Sequence, residues 1–167
     1  MEIEPHVLKF VASGDPREVH IPEEDMIIPN CMGHSSMLEN MKCDSGVLKE
    51  AIEIEDTTYE SLCLIRDFVK NRGKEKVPEV INAGYDVSEW ADLVDIPNRE
   101  ILKSLVNATN FLGMETFLQI TLVLLARMFK GKTSDEIKKE WGLPDVLTDA
   151  QMNYIKTYHS WIYNKHH

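Results

Sequence analysis

The residues of this chain that come nearest to chemistry are a glycine–lysine–threonine run, a cysteine three residues before a histidine, and many closely spaced carboxylates. Gly131-Lys132-Thr133 has the ending of a phosphate-binding loop. Such a loop needs a further glycine five residues before its second one, so that bare backbone N–H groups can cradle phosphate. That position is Ala126, inside an apolar stretch. A helix stop at the glycine followed by a new helix start at the threonine accounts for all three residues better. Of the histidines His6, His20, His34, His159, His166 and His167, only His34 has a ligand-type neighbour at metal spacing, Cys31. Two ligands do not close a structural zinc site, and no second Cys/His pair completes it. His166 and His167 offer only weak adventitious metal binding. No local signature supports a Cys–His nucleophile pair, and a free cysteine most often packs as a small hydrophobe. The carboxylates of Glu23-Glu24-Asp25 and of Glu53 and Glu55 fit solvated faces of an acidic chain better than general acid–base catalysis. Asn107-Ala108-Thr109 is formally a glycosylation sequon, but it falls inside a predicted helix. No catalytic residue, metal site or cofactor is predicted.

The elements around these residues begin with strands and end with helices. Val7 to Ala12 is rich in β-formers, Ser13-Gly14-Asp15-Pro16 is a turn cluster, and Glu18 to Ile21 reads as the returning strand of a hairpin. Val19 and Ile21 face one side of it and His20 the other. A short, weakly defined element lies between Pro22 and Pro29. Ser36-Met37-Leu38-Glu39 fits a capping box, with Ser36 as cap of a short helix through Met41. Ala51 to Glu55 alternates as a half-buried strand does. Thr57-Thr58-Tyr59-Glu60 is a second box, opening a helix with Tyr59, Leu62, Ile65 and Val69 on one stripe, which Arg66 interrupts. Asn71 to Val80 is polar, contains Gly73 and Pro78, and is the best place for an internal boundary. Val87 to Val94 around Trp90 reads as a small apolar anchor. Pro97-Asn98 introduces a helix whose buried face is Ile101, Leu102, Leu105, Val106, Ala108, Thr109 and Leu112, with Gly113 as its stop. Met114 to Lys130 is apolar at Phe117, Leu118, Leu122, Leu125, Met128 and Phe129, widened by Ile120 and Leu124, and is predicted to be central and nearly enveloped. Two further capping boxes, Thr133-Ser134-Asp135-Glu136 and Thr148-Asp149-Ala150-Gln151, open helices ending near Glu140 and Tyr163. No internal repeat is evident. Strands with short helices, then helices only, predict an α+β domain with a C-terminal helical extension.

Composition narrows the function classes. The hydrophobic share of 43% supports a buried core over 167 residues. Net charge is −10; residues 130–167 carry six lysines against five acidic residues, so residues 1–129 carry about −11. Phosphate backbones would repel such a chain, which argues against a nucleic-acid partner. No signal peptide and no membrane span are predicted, because no basic start precedes an apolar stretch and no apolar run reaches about 18 residues. The three cysteines, Cys31, Cys43 and Cys63, are odd in number and widely spaced, as reduced thiols of a protein of the cytoplasm and nucleus would be. What remains is surplus apolar surface late in the chain: Trp141, Leu143, Leu147, Ile155, Tyr158, Trp161 and Ile162, with Tyr163, on short helices. Part of it can pack as a satellite core. The rest should meet a partner, because Trp and Tyr dominate interface hot spots.

The blocks Asn110-Phe111-Leu112, Met114, Phe117-Leu118, Phe129-Lys130-Gly131-Lys132-Thr133, Asp135-Glu136-Ile137 and Trp161 together resemble the C-terminal half of Skp-family adaptors, which link cullins to F-box proteins in ubiquitin ligases. Leu8-Lys9-Phe10 with Ser13-Gly14-Asp15 resembles the family's opening hairpin, Ser36 to Asn40 its first helix, and Ile52 to Asp56 its third strand. The chain departs from the family where Ser134 replaces a proline, Phe111 a tyrosine and Ser160 a glutamine. Its polar loop, residues 71–86, is also shorter. It reads as a divergent paralogue. The resemblance implies a POZ/BTB-like α/β domain over residues 1–130, with a helical F-box-binding extension over 131–167. It implies a cullin side at Asn110 and Phe111. It implies an F-box side at Leu102, Val106, Leu122, Leu125, Ile137, Trp141, Leu143 and Trp161. The expected function is that of a non-catalytic adaptor whose partners are F-box proteins and a cullin, with no nucleic acid and no membrane. The alternative is a divergent POZ-like scaffold that has lost cullin binding and associates with itself as a homodimer. An enzyme is disfavoured by the missing constellation of groups.

Overall fold

The computed structural model describes residues 6–45, 50–81, 86, 98–144 and 148–158. The chain divides into two compact units, Met1–Met128 and Phe129–His167. In the first, β1 (Val7–Ala12) and β2 (Glu18–Pro22) form the predicted antiparallel hairpin, with Leu8 opposite Ile21 and Phe10 opposite Val19. Alternation puts Leu8, Phe10, Ala12, Val19 and Ile21 into the core and leaves Lys9, Glu18 and His20 outside, where the Lys9 ammonium and the His20 ring both reach the Glu18 carboxylate. Gly14 takes the turn at φ +81°. β3 (Ile52–Ile54) joins β1 in parallel, giving the sheet order β2-β1-β3. A parallel pair needs a long crossover, and α1 (Glu23–Met26) and α2 (Ser36–Ser45) lie within it.

Helices α3 (Tyr59–Arg72), α4 (Arg99–Phe111) and α5 (Glu115–Phe129) complete this unit's helical side. Asn98 caps α4 as expected, its side chain accepting from the Glu100 N–H at 2.9 Å. The rings of Phe68 and Phe117 stack, with centroids 3.7 Å apart. Ile101 and Val106, predicted on the buried face of α4, are only half-buried. Ser104 is buried instead, because the α3–α4 junction needs its hydroxyl: it accepts from the Thr58 N–H at 2.6 Å and lies 2.7 Å from the Ser61 hydroxyl.

Four expectations require correction. The caps of the first two predicted boxes each sit one residue away from the predicted position. Ser35, not Ser36, receives the Leu38 N–H at 3.2 Å, because the Ser36 hydroxyl donates to the Gly113 carbonyl. Thr58, not Thr57, caps α3 with Ser61 as its reciprocal partner, because the Thr57 hydroxyl donates to the Ile54 carbonyl. Next, α2 runs on to Ser45, past the predicted end at Met41. The segment after α3 is not a boundary. Met32, Gly33 and Val77 donate to Glu75, Gly73 and Asn30 respectively, lacing residues 73–77 to 30–33, and Lys74 pairs with Asp25 at 2.8 Å. Gly33 is required there, since a Cβ would fall 2.8 Å from Gly73 Cα. Last, α5 is not enveloped. Its buried side is Phe117, Ile120, Thr121, Val123 and Leu124, while Leu122 is 43% exposed.

In the second unit, α6 (Ser134–Trp141) and α7 (Asp149–Tyr158) start at the predicted boxes. The Glu136 and Gln151 side chains reach back to the Thr133 and Thr148 N–H groups at 2.7 and 3.0 Å. Gly131 makes the turn after α5 at φ +78°. Gly142, at φ +61°, ends α6 and lets the Leu143 N–H close on the Lys138 carbonyl at 2.9 Å. The stretch around Val87 to Val94, including Trp90, lies outside the described residues.

Candidate interaction surfaces

Asn110 and Phe111 stand at the end of α4, and both are exposed, Phe111 at 48%. The backbone beneath them is locked. The last carbonyls of a helix and the first N–H groups of another both lack partners within their own helix. Here they satisfy one another. The Leu112 and Gly113 carbonyls accept from the Met37 and Ser36 N–H groups at 3.4 and 3.3 Å, and the buried Ser35 hydroxyl donates to Leu112 at 2.5 Å. Gly113, at φ +62°, lies against the Ser36 hydroxyl, where a Cβ would overlap. The joint between α2 and α4 thus fixes the backbone that carries a half-exposed phenyl ring. Ser35 and Ser36 were not legible as parts of this corner, because their partners lie 77 residues away.

The residues that the resemblance assigns to an F-box fall in different environments. Leu102 is 3% exposed and lies in the core of the first unit. Val106 and Leu125 are half-buried, and Leu122 projects from α5. In the second unit, Ile137 and Trp141 are half-buried, with Trp141 tilted against Phe129 at a centroid distance of 5.2 Å. Leu143 is 51% exposed. Neither α6 nor α7 buries a residue. Tyr158, also surplus in the sequence, is exposed and pairs with Tyr154 at 4.8 Å between ring centroids. Tyr154 was missed, although its i, i+4 relation to Tyr158 was a signal for it. Trp161, with Ile162 and Tyr163, lies outside the described residues, as do Leu147 and His159, His166 and His167.

Polar groups serve the frame. Arg17 clasps Asp15 in the hairpin turn, lies 3.9 Å over the Tyr59 ring and reaches Glu60 at 3.6 Å, fastening the turn to the start of α3. Its hydrogen bonds hold the Asp15 carboxyl down to about 2. The N–H and hydroxyl of Thr133 lower the Glu136 carboxyl. Lys132 and Glu140 form an ion pair. Cys31 and Cys63 are free, half-buried thiols; the side chain of Cys43 lies outside the described residues. Among the described residues no three His, Cys, Asp or Glu side chains gather as a metal ion would require, and no helix is long and apolar enough to cross a membrane.

These features define a mixed α+β, POZ/BTB-like chain whose conspicuous surface groups are apolar side chains on helix ends and short helices. No family model matches the sequence. Individual proteins do. It is 27% identical over 134 residues to an S-phase kinase-associated protein 1 homolog of Tetrahymena thermophila, covering 76% of this chain and 80% of that protein. It is 24% identical over 160 residues to the SKP1-like protein 5 of Arabidopsis thaliana, covering 92% and 96%. The SCF ubiquitin ligase complex protein SKP1a of Dictyostelium discoideum is 26% identical over 144 residues, covering 81% and 85%. Over most of its length the chain is thus similar to proteins named for SKP1 and the SCF ubiquitin ligase complex.

Proposed function

We propose that this protein is a non-catalytic adaptor that links a cullin to F-box substrate receptors within a ubiquitin ligase. The observation that carries the reading is the pair of well-capped helices α6 and α7, which bury no residue and keep Leu143, Tyr154 and Tyr158 exposed. Exposed aromatic and apolar side chains on and beside formed helices fit a surface that meets another protein. Similarity to subunits named for the SCF complex supports the same role. The F-box would engage Leu122, Leu125, Val106, Ile137, Trp141, Leu143 and Trp161, the cullin Asn110 and Phe111, with residues 1–130 as the POZ-like portion and 131–167 as the F-box-binding extension. The adaptor would raise the effective concentration of substrate near the conjugating machinery, in the cytoplasm and nucleus where that machinery works. The exposed phenyl of Phe111 favours a weakened cullin contact.

Separate titrations of the full chain with an F-box peptide and with a cullin N-terminal domain test this. Both should bind. Phe111→Tyr should tighten the cullin complex by up to about tenfold, the equivalent of about 0.5–1.5 kcal/mol for one neutral hydrogen bond. F-box binding with no cullin binding by either form would favour a self-associating scaffold, whose mass in solution would be that of a dimer. Failure of both partners to bind would remove the adaptor reading.

A further inference from the structure

The charges of the second unit are unevenly spent. Glu136 is committed to the Thr133 cap, and Glu140 to Lys132. Asp135 and Asp149 occupy the first turns of α6 and α7, where they meet the positive ends of the helix dipoles. No ion pair among the described residues engages Lys130, Lys138, Lys139 or Lys156. In a chain of net charge −10, residues 130–167 are thus the near-neutral part, at about +1, and their exposed apolar side chains lie among lysines as well as carboxylates. Lys138 is the central one. It is an i, i+3 neighbour of Trp141 on the surface of α6, and its own carbonyl anchors the Leu143 N–H. Helical spacing therefore sets Lys138 beside Trp141 on α6.

Resting on the adaptor reading, we propose that the F-box helix seated on this surface is amphipathic with an acidic flank, and that Lys138 selects for that flank. Opposite charges at the rim of an apolar contact orient the partner, speed association and penalise like-charged competitors. The position of Lys138 in the last turn of α6 also suits the helix dipole. A role confined to the dipole would be indifferent to the charge of the partner, and this separates the two roles.

The test uses the full chain and three synthetic F-box helical peptides with identical apolar anchors, their flanks carrying Glu, Gln or Lys. Affinity is measured by fluorescence anisotropy at low and high salt. The Glu peptide should bind at least about tenfold more tightly than the Gln peptide at low salt, with the gap closing at high salt as the charges are screened. Lys138→Glu should reverse the order, so that the Lys peptide binds best. Circular dichroism of that variant reports whether α6 still forms, and Lys138→Gln, which should abolish discrimination without reversing it, covers a loss of helix. Equal binding of all three peptides by the wild type overturns the acidic-flank proposal and leaves the adaptor standing. Binding of none of them overturns both.

Discussion

Leu102 and Leu143 are the same residue with opposite surroundings. Leu102 is enclosed with Leu105 and Ala108 in the first unit's core, whereas Leu143 follows the left-handed Gly142 and lies open to solvent. Deleting three carbons from an enclosed leucine forfeits their burial and leaves a cavity, so Leu102→Ala should lower stability by about 2–5 kcal/mol. Leu143→Ala should stay within about 0.5 kcal/mol of wild type, as surface changes do, while weakening the F-box complex. Urea denaturation and peptide titration on both variants check this. A Leu102→Ala protein of unchanged stability would place that side chain wrongly. Phe111 is a third case: its ring is exposed, yet the backbone carrying it is pinned by the Ser35, Ser36 and Gly113 contacts. A substitution there should move binding without moving the fold.

At the scale of elements, α6 is eight residues long and has no fully buried residue, so its persistence leans on its ends. The Thr133–Glu136 box supplies one end and Gly142 the other. Glu136 is ionised when it accepts from the Thr133 N–H, and its carboxyl is held below the usual 4.5 by the Thr133 N–H first and the Thr133 hydroxyl second. A carboxyl depressed on folding contributes stability that is whole above its unfolded pKa and is lost as pH falls through its folded pKa. Helix α6 should therefore loosen on acidification below about pH 4.5. Glu136→Gln should remove that dependence while keeping the cap. Chemical shifts of the Thr133 amide and the Glu136 carboxyl, followed from pH 7 to pH 2, provide the measurement. A wild-type Thr133 amide that does not respond to acid would show that the box is absent in solution.

For the whole molecule, stability should be divided between the two units. The first has a core reaching from Leu8 to Leu124, with the stacked Phe68 and Phe117 rings inside it. The second holds helices whose hydrogen bonds are covered by little apolar surface. Opening free energy follows such local packing. In the free protein, amides of Asp149 to Tyr158 should exchange within minutes, and those of α3 and α4 should exchange far more slowly. Adding an F-box peptide should protect the first group and leave the second unchanged. Strong protection of α7 in the free protein would mean that it is already packed and that its tyrosines are not awaiting a partner.

The sequence by itself determined what depends on near neighbours. The β1–β2 hairpin, the Asn98 cap, the stop at Gly113 and the boxes at Thr133 and Thr148 follow from alternation, from left-handed glycines and from side chains within three residues of the backbone groups they satisfy. Surplus aromatics near the end of the chain were visible for the same reason, since a short helix shows its own excess of apolar residues. Where a local pattern had competing partners, the tertiary structure decided. Ser36 has the type and spacing of a cap, but Gly113 takes its hydroxyl, so Ser35 caps instead. Ser104 is polar, yet it is buried because Thr58 and Ser61 arrive 43 or more residues away in sequence to satisfy it. Helix α5 is apolar almost all round, and periodicity cannot choose which side is covered. Packing in the first unit covers Phe117, Ile120 and Leu124 and leaves Leu122 outside. A hydroxyl or a leucine is only a capacity for contact, and the fold settles which contact is made because each donor and each face can be used only once.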